Sequence, residues 1–154
     1  MWKKIKRYVI YIGISLGVGA LAAFLTKDSM DIYESINTPP LTPPGWLFPV
    51  VWSILYVLMG IGAARVSKLR LPQNNALFVF FLQLGINFFW SIFFFNLRAF
   101  LFSFLWLLLL WLCIILMIKK FRSKDKIAAY LQIPYLLWVT FAAYLNFAIW
   151  FLNR

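Results

Sequence analysis

The chain has 154 residues, of which 64% are hydrophobic, 21% aromatic and only 12% charged, and its formal net charge is +11. A soluble domain usually carries about a quarter charged residues, so this composition excludes a water-soluble globule and indicates an integral membrane protein. The sequence has no histidine and one cysteine, which excludes His-ligated metal sites, His-based catalytic triads, a His axial ligand to haem and an intrachain disulfide.

Five apolar runs are each long enough to cross a bilayer as a helix, which needs roughly 20 residues. The bilayer core offers no water to unpaired backbone groups, so each run is expected to be helical, and the lack of strand alternation argues against a barrel. The sequence therefore predicts one all-α membrane domain over residues 1–154, a bundle of five transmembrane helices. The predicted spans are residues 6–26, 46–66, 77–97, 100–119 and 128–151.

The first run follows a basic start, as a cleaved signal peptide would, but its length of about 19 residues favours a retained span. It carries Gly13 and Gly17 four residues apart, and small residues at this spacing allow close helix approach in lipid. We expect these glycines to pack inside the bundle, with a dimer contact as the alternative. Gly60 and Gly62 in the second span are interpreted in the same way.

The basic residues predict the orientation of the bundle. Twelve of the 15 fall on one side of the spans, and only Lys27, Arg98 and Arg154 fall on the other. By the positive-inside rule, the protein is a multi-pass cell-membrane protein with a cytoplasmic N-terminus, and its first loop and C-terminus lie outside. Because the basic residues form short clusters and no continuous face, no nucleic-acid partner is expected. The twelve are Lys3, Lys4, Lys6, Arg7, Arg65, Lys68, Arg70, Lys119, Lys120, Arg122, Lys124 and Lys126.

The chain enters the second span through a proline-rich stretch, residues 39–49, whose last proline falls inside the span. Proline fixes φ and lacks a backbone donor, so the stretch is expected to be a rigid non-helical loop. Thr42 is predicted to cap the second helix, Pro43 to occupy its first position and Pro49 to kink it. The long first loop, residues 27–45, then forms a lid over a ligand pocket, and Trp52 and Tyr56 supply one wall.

The spans contain neutral polar and aromatic side chains but no deep charge, which argues against a proton-coupled pump. Amides beside indoles suit a flat, mostly apolar ligand with a few carbonyl or carboxylate groups. The alternative is that the tryptophans only pack or face lipid and that the amides bond across helices, as in a purely structural membrane partner. The residues that share these faces are Gln83, Asn87, Trp90 and Phe94 in the third span, and Trp138, Ala142, Leu145 and Asn146 in the fifth.

Three blocks of sequence resemble the translocator protein / tryptophan-rich sensory protein family, also known as peripheral-type benzodiazepine receptors. They are PPGWLFPVVWSILY with Met59-Gly60, QLGINFFWS from Gln83, and PYLLWVTFA from Pro134 with Leu145-Asn146. They occur in the family's order and cover essentially the whole chain, which looks like a bacterial member. The resemblance implies a five-helix bundle, often a homodimer, that binds porphyrins, notably protoporphyrin IX, and synthetic benzodiazepine-site ligands, and that requires no cofactor or metal.

The resemblance also implies the site residues and three possible activities. Trp52 and Trp138 match tryptophans implicated in light- and oxygen-dependent breakdown of protoporphyrin IX, so the chain is expected to be a porphyrin receptor or sensor, a photo-oxidative enzyme or a tetrapyrrole carrier. Phe147 stands where the sterol-recognition pattern of animal members has tyrosine. The predicted ligand-binding residues are Tyr33, Pro43, Trp52, Tyr56, Asn87, Trp90, Trp138, Ala142, Leu145 and Asn146.

Overall fold

A computed structural model describes residues 1–29, 31–67 and 75–154, with the backbone alone at Tyr33. Within these ranges the chain is helical without strands, and five helices are long and apolar enough to cross a membrane, which confirms the predicted fold class. Lys68 and Arg70, which count toward the predicted orientation, lie outside the described residues. The helices are α1 (Trp2–Thr26), α2 (Ile32–Ser35), α3 (Leu47–Ser67), α4 (Ala76–Ser91), α5 (Phe100–Arg122), α6 (Lys126–Tyr130) and α7 (Ile133–Asn153).

The second spanning helix, α3, begins later than the prolines predict. Its first residue is Leu47, and the hydroxyl of Thr42 donates to the carbonyl of Pro39 at 2.7 Å. Pro43 therefore precedes the helix, and Pro49 lies in its first turn. A missing N–H costs no ladder bond there, because the first amides of a helix have no partner inside it. The predicted cap at Thr42 and the predicted interior kink at Pro49 are both wrong.

The third spanning helix, α4, ends in a wide π-helical turn, Ile92–Asn96. The amide of Leu97 donates to the carbonyl of Ile92 at 3.1 Å, and Arg98 then takes a positive φ of 50°. These features reverse the chain within a few residues, so that α5 begins at Phe100. The short connection between α4 and α5 thus has a specific backbone conformation.

The last predicted span is divided into two helices. The carboxylate of Asp125 accepts from the amides of Ile127 and Ala128 at 2.9 and 3.2 Å and so caps the short helix α6. After α6, the chain re-enters a helix at Ile133, where Pro134 occupies a first-turn position. Proline is tolerated there for the same reason as at the start of α3.

The close approach of α1 and α3 depends on glycines other than the predicted pair. A Cβ at Gly60 would meet the backbone of Ile12, and one at Gly19 would meet the ring of Tyr56. Gly13 and Gly17 are exposed, with nothing within 4 Å of a Cβ built on either. The expectation that this pair packs inside the bundle is therefore wrong, whereas the interpretation of Gly60 and the buried Gly62 is confirmed.

Contacts between elements define two ends of the bundle. At one end, the guanidinium of Arg65 bonds the carboxylate of Asp125 at 2.9 Å, which joins the end of α3 to the turn before α6. At the other end, Asn37 and Asn153 exchange two hydrogen bonds, at 2.9 and 2.8 Å, and the hydroxyl of Tyr144 donates to the carbonyl of Pro40 at 2.9 Å. The segment between α1 and α3 is therefore fastened to α7. We use the name basic end for the first of these ends, where the N-terminus of α1 also lies.

Candidate functional site

An aromatic cavity of about 350 Å³ lies in the half of the bundle next to the segment between α1 and α3. Four spanning helices, α1, α3, α4 and α7, form its walls. Its volume falls at the lower end of the range of about 300–1,000 Å³ that is usual for small-molecule sites. Its lining residues are Leu16, Gly19, Ala20, Ala22, Ala23, Thr26, Phe48, Pro49, Trp52, Ser53, Tyr56, Trp90, Ser91, Phe95, Trp138 and Ala142.

Trp52 forms the α3 wall and is held by other aromatic rings. Its ring stacks on that of Tyr56, one turn further along α3, with centroids 5.7 Å apart. The edge of Tyr135 meets it at 6.2 Å, and Trp90 lies 6.5 Å away. Aromatic pairs in these geometries add about 0.5–1.5 kcal/mol each beyond their burial. The plane of Trp52 is therefore fixed before any ligand enters.

Trp138 forms the α7 wall and has an unsatisfied donor. Its ring makes an edge contact with that of Phe48, with centroids 5.8 Å apart, and lies tilted against that of Phe141 at 5.7 Å. The indole nitrogen is buried and finds no acceptor among the described residues. A buried polar group without a partner costs about 1–3 kcal/mol, so this N–H would gain a hydrogen bond from any acceptor that came to reach it. Ala142, one turn later, leaves space beside the indole.

Beneath Trp52 lies a buried chain of hydrogen bonds. The hydroxyl of Tyr56 donates to the Oδ1 of Asn87 at 3.4 Å, and the Nδ2 of Asn87 donates to the hydroxyl oxygen of Tyr135 at 2.8 Å. The hydroxyl of Tyr135 then donates to the Oε1 of Gln83 at 2.7 Å. Asn87 is thus bonded on both sides of its amide and does not line the cavity. The network therefore holds Tyr56, which lines the cavity, in place.

Asn146 is engaged in a second network that joins three helices. Its Oδ1 accepts from the indole nitrogen of Trp90 at 3.0 Å and from the hydroxyl of Ser103 at 3.2 Å. Its Nδ2 donates to the carbonyl of Phe100 at 2.9 Å. Trp90 therefore reaches the cavity with its N–H already bonded, and Asn146 and the buried Leu145 stay behind the wall.

The structure brings five of the ten predicted ligand-binding residues to the cavity surface: Trp52, Tyr56, Trp90, Trp138 and Ala142. Asn87, Leu145 and Asn146 are buried behind them. Pro43 is half-buried in the segment before α3, outside the lining, and the side chain of Tyr33 lies outside the described residues. Whether these residues bind a ligand stays a prediction.

The α1 wall is absent from the predicted site. Six of its residues line the cavity, and Gly19, Ala20, Ala22 and Ala23 among them are small. In the sequence such residues indicate helix packing, so their pattern carried no specific signal for a ligand site. Ala20 and Ala23 are exposed, as is Ser53 on α3. The cavity therefore opens toward the bilayer between α1 and α3.

The cavity lining restricts the chemistry available. Among the described residues that form it there is no carboxylate, no ammonium or guanidinium group and no thiol. The lining does contain hydroxyls, on Thr26, Ser53, Tyr56 and Ser91, but none of the lining residues is a base that could activate them, as nucleophilic or acid–base catalysis requires. The arrangement can stack a planar apolar ligand against the indole and phenol rings of its walls.

Comparison with known proteins identifies the family of this chain. The family model described as TspO/MBR family matches residues 11–151. The chain belongs to the TspO/MBR family. It is 38% identical to the tryptophan-rich protein TspO of Chlorobaculum tepidum over 99% of both chains. It is also 38% identical to protein CrtK of Rhodobacter capsulatus, over 95% of this chain and 92% of that one.

The TspO/MBR relatives also include an animal protein. The translocator protein of Ovis aries is 33% identical over 82% of this chain and 78% of its own length. Membership of the family and the five spanning helices agree that the chain is a multi-pass membrane protein. The family match over residues 11–151 includes the residues of all four helices that line the cavity.

Proposed function

We propose that this TspO/MBR protein is a membrane receptor that binds porphyrins, with protoporphyrin IX as its ligand, in the aromatic cavity. The observation that carries the proposal is the indole N–H of Trp138, which is buried at the cavity wall without an acceptor among the described residues. A free donor in an apolar, water-poor site is stabilised by a ligand oxygen that accepts its hydrogen bond. The family resemblance supplies the class of ligand.

The proposed pose follows from the geometry of the walls. The flat tetrapyrrole stacks on the fixed plane of Trp52, and a propionate oxygen accepts from Trp138. Asn87 and Asn146 act through the wall residues that they hold, because their amides are already bonded within the protein. The opening between α1 and α3 accommodates the part of a porphyrin that exceeds the enclosed volume. A metal-free ring is favoured, since the sequence has no histidine to ligate haem iron.

Synthetic benzodiazepine-site ligands are expected to compete for the same cavity. An isoquinoline carboxamide combines a flat apolar ring system with one carbonyl acceptor, and these are the two features that the walls recognise. Transport of a tetrapyrrole would use the same opening toward the bilayer. The binding experiment below therefore comes before any test of transport.

The proposal is tested by titrating purified protein with protoporphyrin IX and following quenching of tryptophan fluorescence and the porphyrin absorbance band. We expect Trp138→Phe to weaken binding by about tenfold, because it removes one buried hydrogen bond worth about 1–1.5 kcal/mol while keeping an aromatic ring. Trp52→Ala removes the stacking surface and should weaken binding at least as much.

The matched control is Trp111→Phe. Trp111 is an intramembrane tryptophan whose indole N–H donates to the hydroxyl of Thr140 at 2.9 Å, and it does not line the cavity. This variant should bind protoporphyrin IX as the wild type does. Unchanged affinity in the Trp52→Ala/Trp138→Phe double variant would contradict the proposal.

A light-driven oxidation of the bound porphyrin is a second candidate function. It is favoured by the contact of Trp52 with Tyr56 and its proximity to Trp90, since neighbouring aromatic rings at the cavity wall can accept and pass an electron. The excited porphyrin and molecular oxygen would supply the chemistry, because the lining has no acid–base pair. Trp52 and Trp138 are the candidate catalytic residues.

This candidate predicts a defined product when the saturated complex is illuminated in air. We expect Trp52→Phe to slow product formation severalfold at saturating porphyrin, and argon to stop it, with product measured by chromatography and mass spectrometry. If the wild type and the variant consume porphyrin at equal rates, or if only bleaching without a product occurs, the protein is a binder alone.

A further inference from the structure

A second recess lies at the basic end of the bundle, away from the aromatic cavity. It is formed between the start of α1 and the end of α3 and has a volume of about 350 Å³. It contributes nothing to the proposed porphyrin site. Its lining residues are Lys3, Lys6, Arg7, Ile10, Tyr11 and Ser67.

The recess is charged at one end and apolar at the other. Its α1 residues recur at spacings of three and four, so they share one helix face, which spans about 12 Å from Lys3 to Tyr11 at 1.5 Å per residue. The cationic side chains lie in the first two turns, and Ile10 and Tyr11 follow toward the membrane interior. The ring of Tyr11 is fixed edge-on against Phe80 at 6.1 Å.

The cations of the recess have no carboxylate to neutralise them. Asp125 is the only acidic residue of the sequence outside the segment between α1 and α3. Its two oxygens already accept from Arg65 and from the amides that begin α6. No ion pair involves Lys3, Lys6 or Arg7 within residues 1–29, 31–67 and 75–154. An uncompensated group of three cations therefore borders a cavity.

The position of these cations at the N-terminus of α1 adds an unfavourable interaction with the helix dipole to their mutual repulsion. The first turn of α1 has no acidic residue and no side-chain cap. The N-terminus of a helix carries a partial positive charge, so lysines there are unfavourable and an anion is favourable. A negatively charged ligand in the recess would relieve both the repulsion among the side chains and that from the helix dipole.

We propose that this recess binds the phosphate headgroup of an anionic phospholipid from the surrounding leaflet. The phosphate lies among the three cations, which supply its hydrogen bonds, since the hydroxyl of Ser67 at the α3 side already donates to the carbonyl of Ala64 at 2.8 Å. The apolar wall of Ile10 and Tyr11 continues toward the membrane interior, where the glycerol and first acyl carbons of a lipid would follow. A free phosphate ion would use the cations but not this wall. Basic pockets between helices at membrane surfaces are suited to such headgroups.

The experiment compares phosphatidylglycerol with phosphatidylcholine of the same acyl chains, added to the detergent-purified full chain. Bound lipid is counted by native mass spectrometry, and thermal stabilisation gives the affinity. We expect tighter binding of phosphatidylglycerol, and a loss on the order of 100-fold in the Lys3→Gln/Lys6→Gln/Arg7→Gln variant, since each basic residue near an anionic lipid contributes about fivefold.

The matched control is Lys119→Gln/Lys120→Gln/Arg122→Gln. It removes the same charge near the turn between α5 and α6, but none of these residues lines the recess. We expect it to retain phosphatidylglycerol within a few-fold of the wild type. An equal loss in both triple variants would show unspecific attraction to the whole basic end and would overturn the proposal.

One further variant and one further ligand complete the test. Ile10→Trp keeps every charge but fills the recess at a residue that is 45% exposed, so it should fold and still lose phosphatidylglycerol. Retention of the lipid by this variant would overturn the proposal even if the charge variant fails to fold. Inorganic phosphate is titrated in parallel. Stabilisation equal to that of the lipid would assign the recess to a soluble phosphate and overturn the lipid assignment.

Discussion

Trp90 and Trp138 face the same cavity and differ in the state of one indole N–H. The N–H of Trp90 is bonded to the amide oxygen of Asn146, whereas that of Trp138 has no acceptor among the described residues. With phenylalanine at position 138, the protein would keep an aromatic ring at the cavity wall and avoid the cost of a buried N–H without a partner. A buried donor without a partner lowers the stability of the protein, and a loss of stability of this kind is typical of binding sites.

This difference predicts opposite effects on the stability of the ligand-free protein. Trp90→Phe should lower the free energy of unfolding by about 1 kcal/mol, because it breaks a buried hydrogen bond whose acceptor keeps Ser103 as a second donor. Trp138→Phe removes a buried donor that has no partner, so its stability should equal or exceed that of the wild type. Thermal unfolding in one detergent measures both. Equal destabilisation by the two substitutions would contradict the assigned hydrogen-bond states.

For the spanning helices, the residues that each helix contains were easier to predict than the face that each helix buries. The five spans follow from the length of apolar runs, which is a local property of the sequence. Gly13 and Gly17 have the spacing of a packing motif but face outward, whereas Gly19 and Gly60 make the contact between α1 and α3. The face that a helix buries depends on its neighbours, and hydropathy in an apolar span does not reveal it.

The same limit explains which parts of the cavity could be predicted. Trp52, Trp90 and Trp138 stand out in the sequence, and all three reach the cavity. Asn87 shares the predicted face with Trp90 but bonds Tyr135 behind the wall, because a buried amide is held by whichever partners the neighbouring helices present. The α1 wall has no aromatic or polar signal and becomes visible only once the helices are packed.

The start of α3 shows how a proline-rich pattern can mislead about where a helix begins. Thr42 and Pro43 have the residue types of a helix start, but so does the segment around Leu47 to Pro49, and the later one is used. Pro134 likewise lies in the first turn of α7 and does not disrupt its interior. Where several such signals follow one another, tertiary packing decides among them.

On the scale of the whole molecule, the two ends of the bundle have different chemistry. The end with the segment between α1 and α3 is fastened to α7 by neutral amide and hydroxyl bonds. The basic end is fastened by the ion pair between Arg65 and Asp125, which links the second span to the turn before α6. The prediction that the basic end faces the cytoplasm rests on the charge count alone and is open to a reporter fused at either terminus.

The ion pair at the basic end predicts how the stability of the molecule depends on pH. Burial of the Asp125 carboxylate raises its pKa, but the bonds from Arg65 and from the amides of Ala128 and Ile127 outweigh this, and the pKa is lowered below its ordinary value. A carboxyl whose pKa is lower in the folded protein binds protons more readily when unfolded. Its contribution is therefore complete above the ordinary carboxyl range and is lost as pH falls through the folded pKa.

We expect Asp125→Asn to lower the stability near neutral pH by about 1 kcal/mol, since the pair is only partly buried and asparagine can still cap α6. Asp125→Ala removes the cap as well and should cost about 1 kcal/mol more. The difference between wild type and Asp125→Asn should shrink as the pH falls below about 4, because the carboxyl of the unfolded chain then becomes protonated and that of the folded chain follows at lower pH. Thermal unfolding in detergent across this pH range gives both quantities.

Asp28→Asn, which removes an exposed carboxylate at the opposite end, is the charge-matched control. A difference for Asp125→Asn that stays constant down to the lowest pH would show that the carboxylate charge does not hold the basic end together.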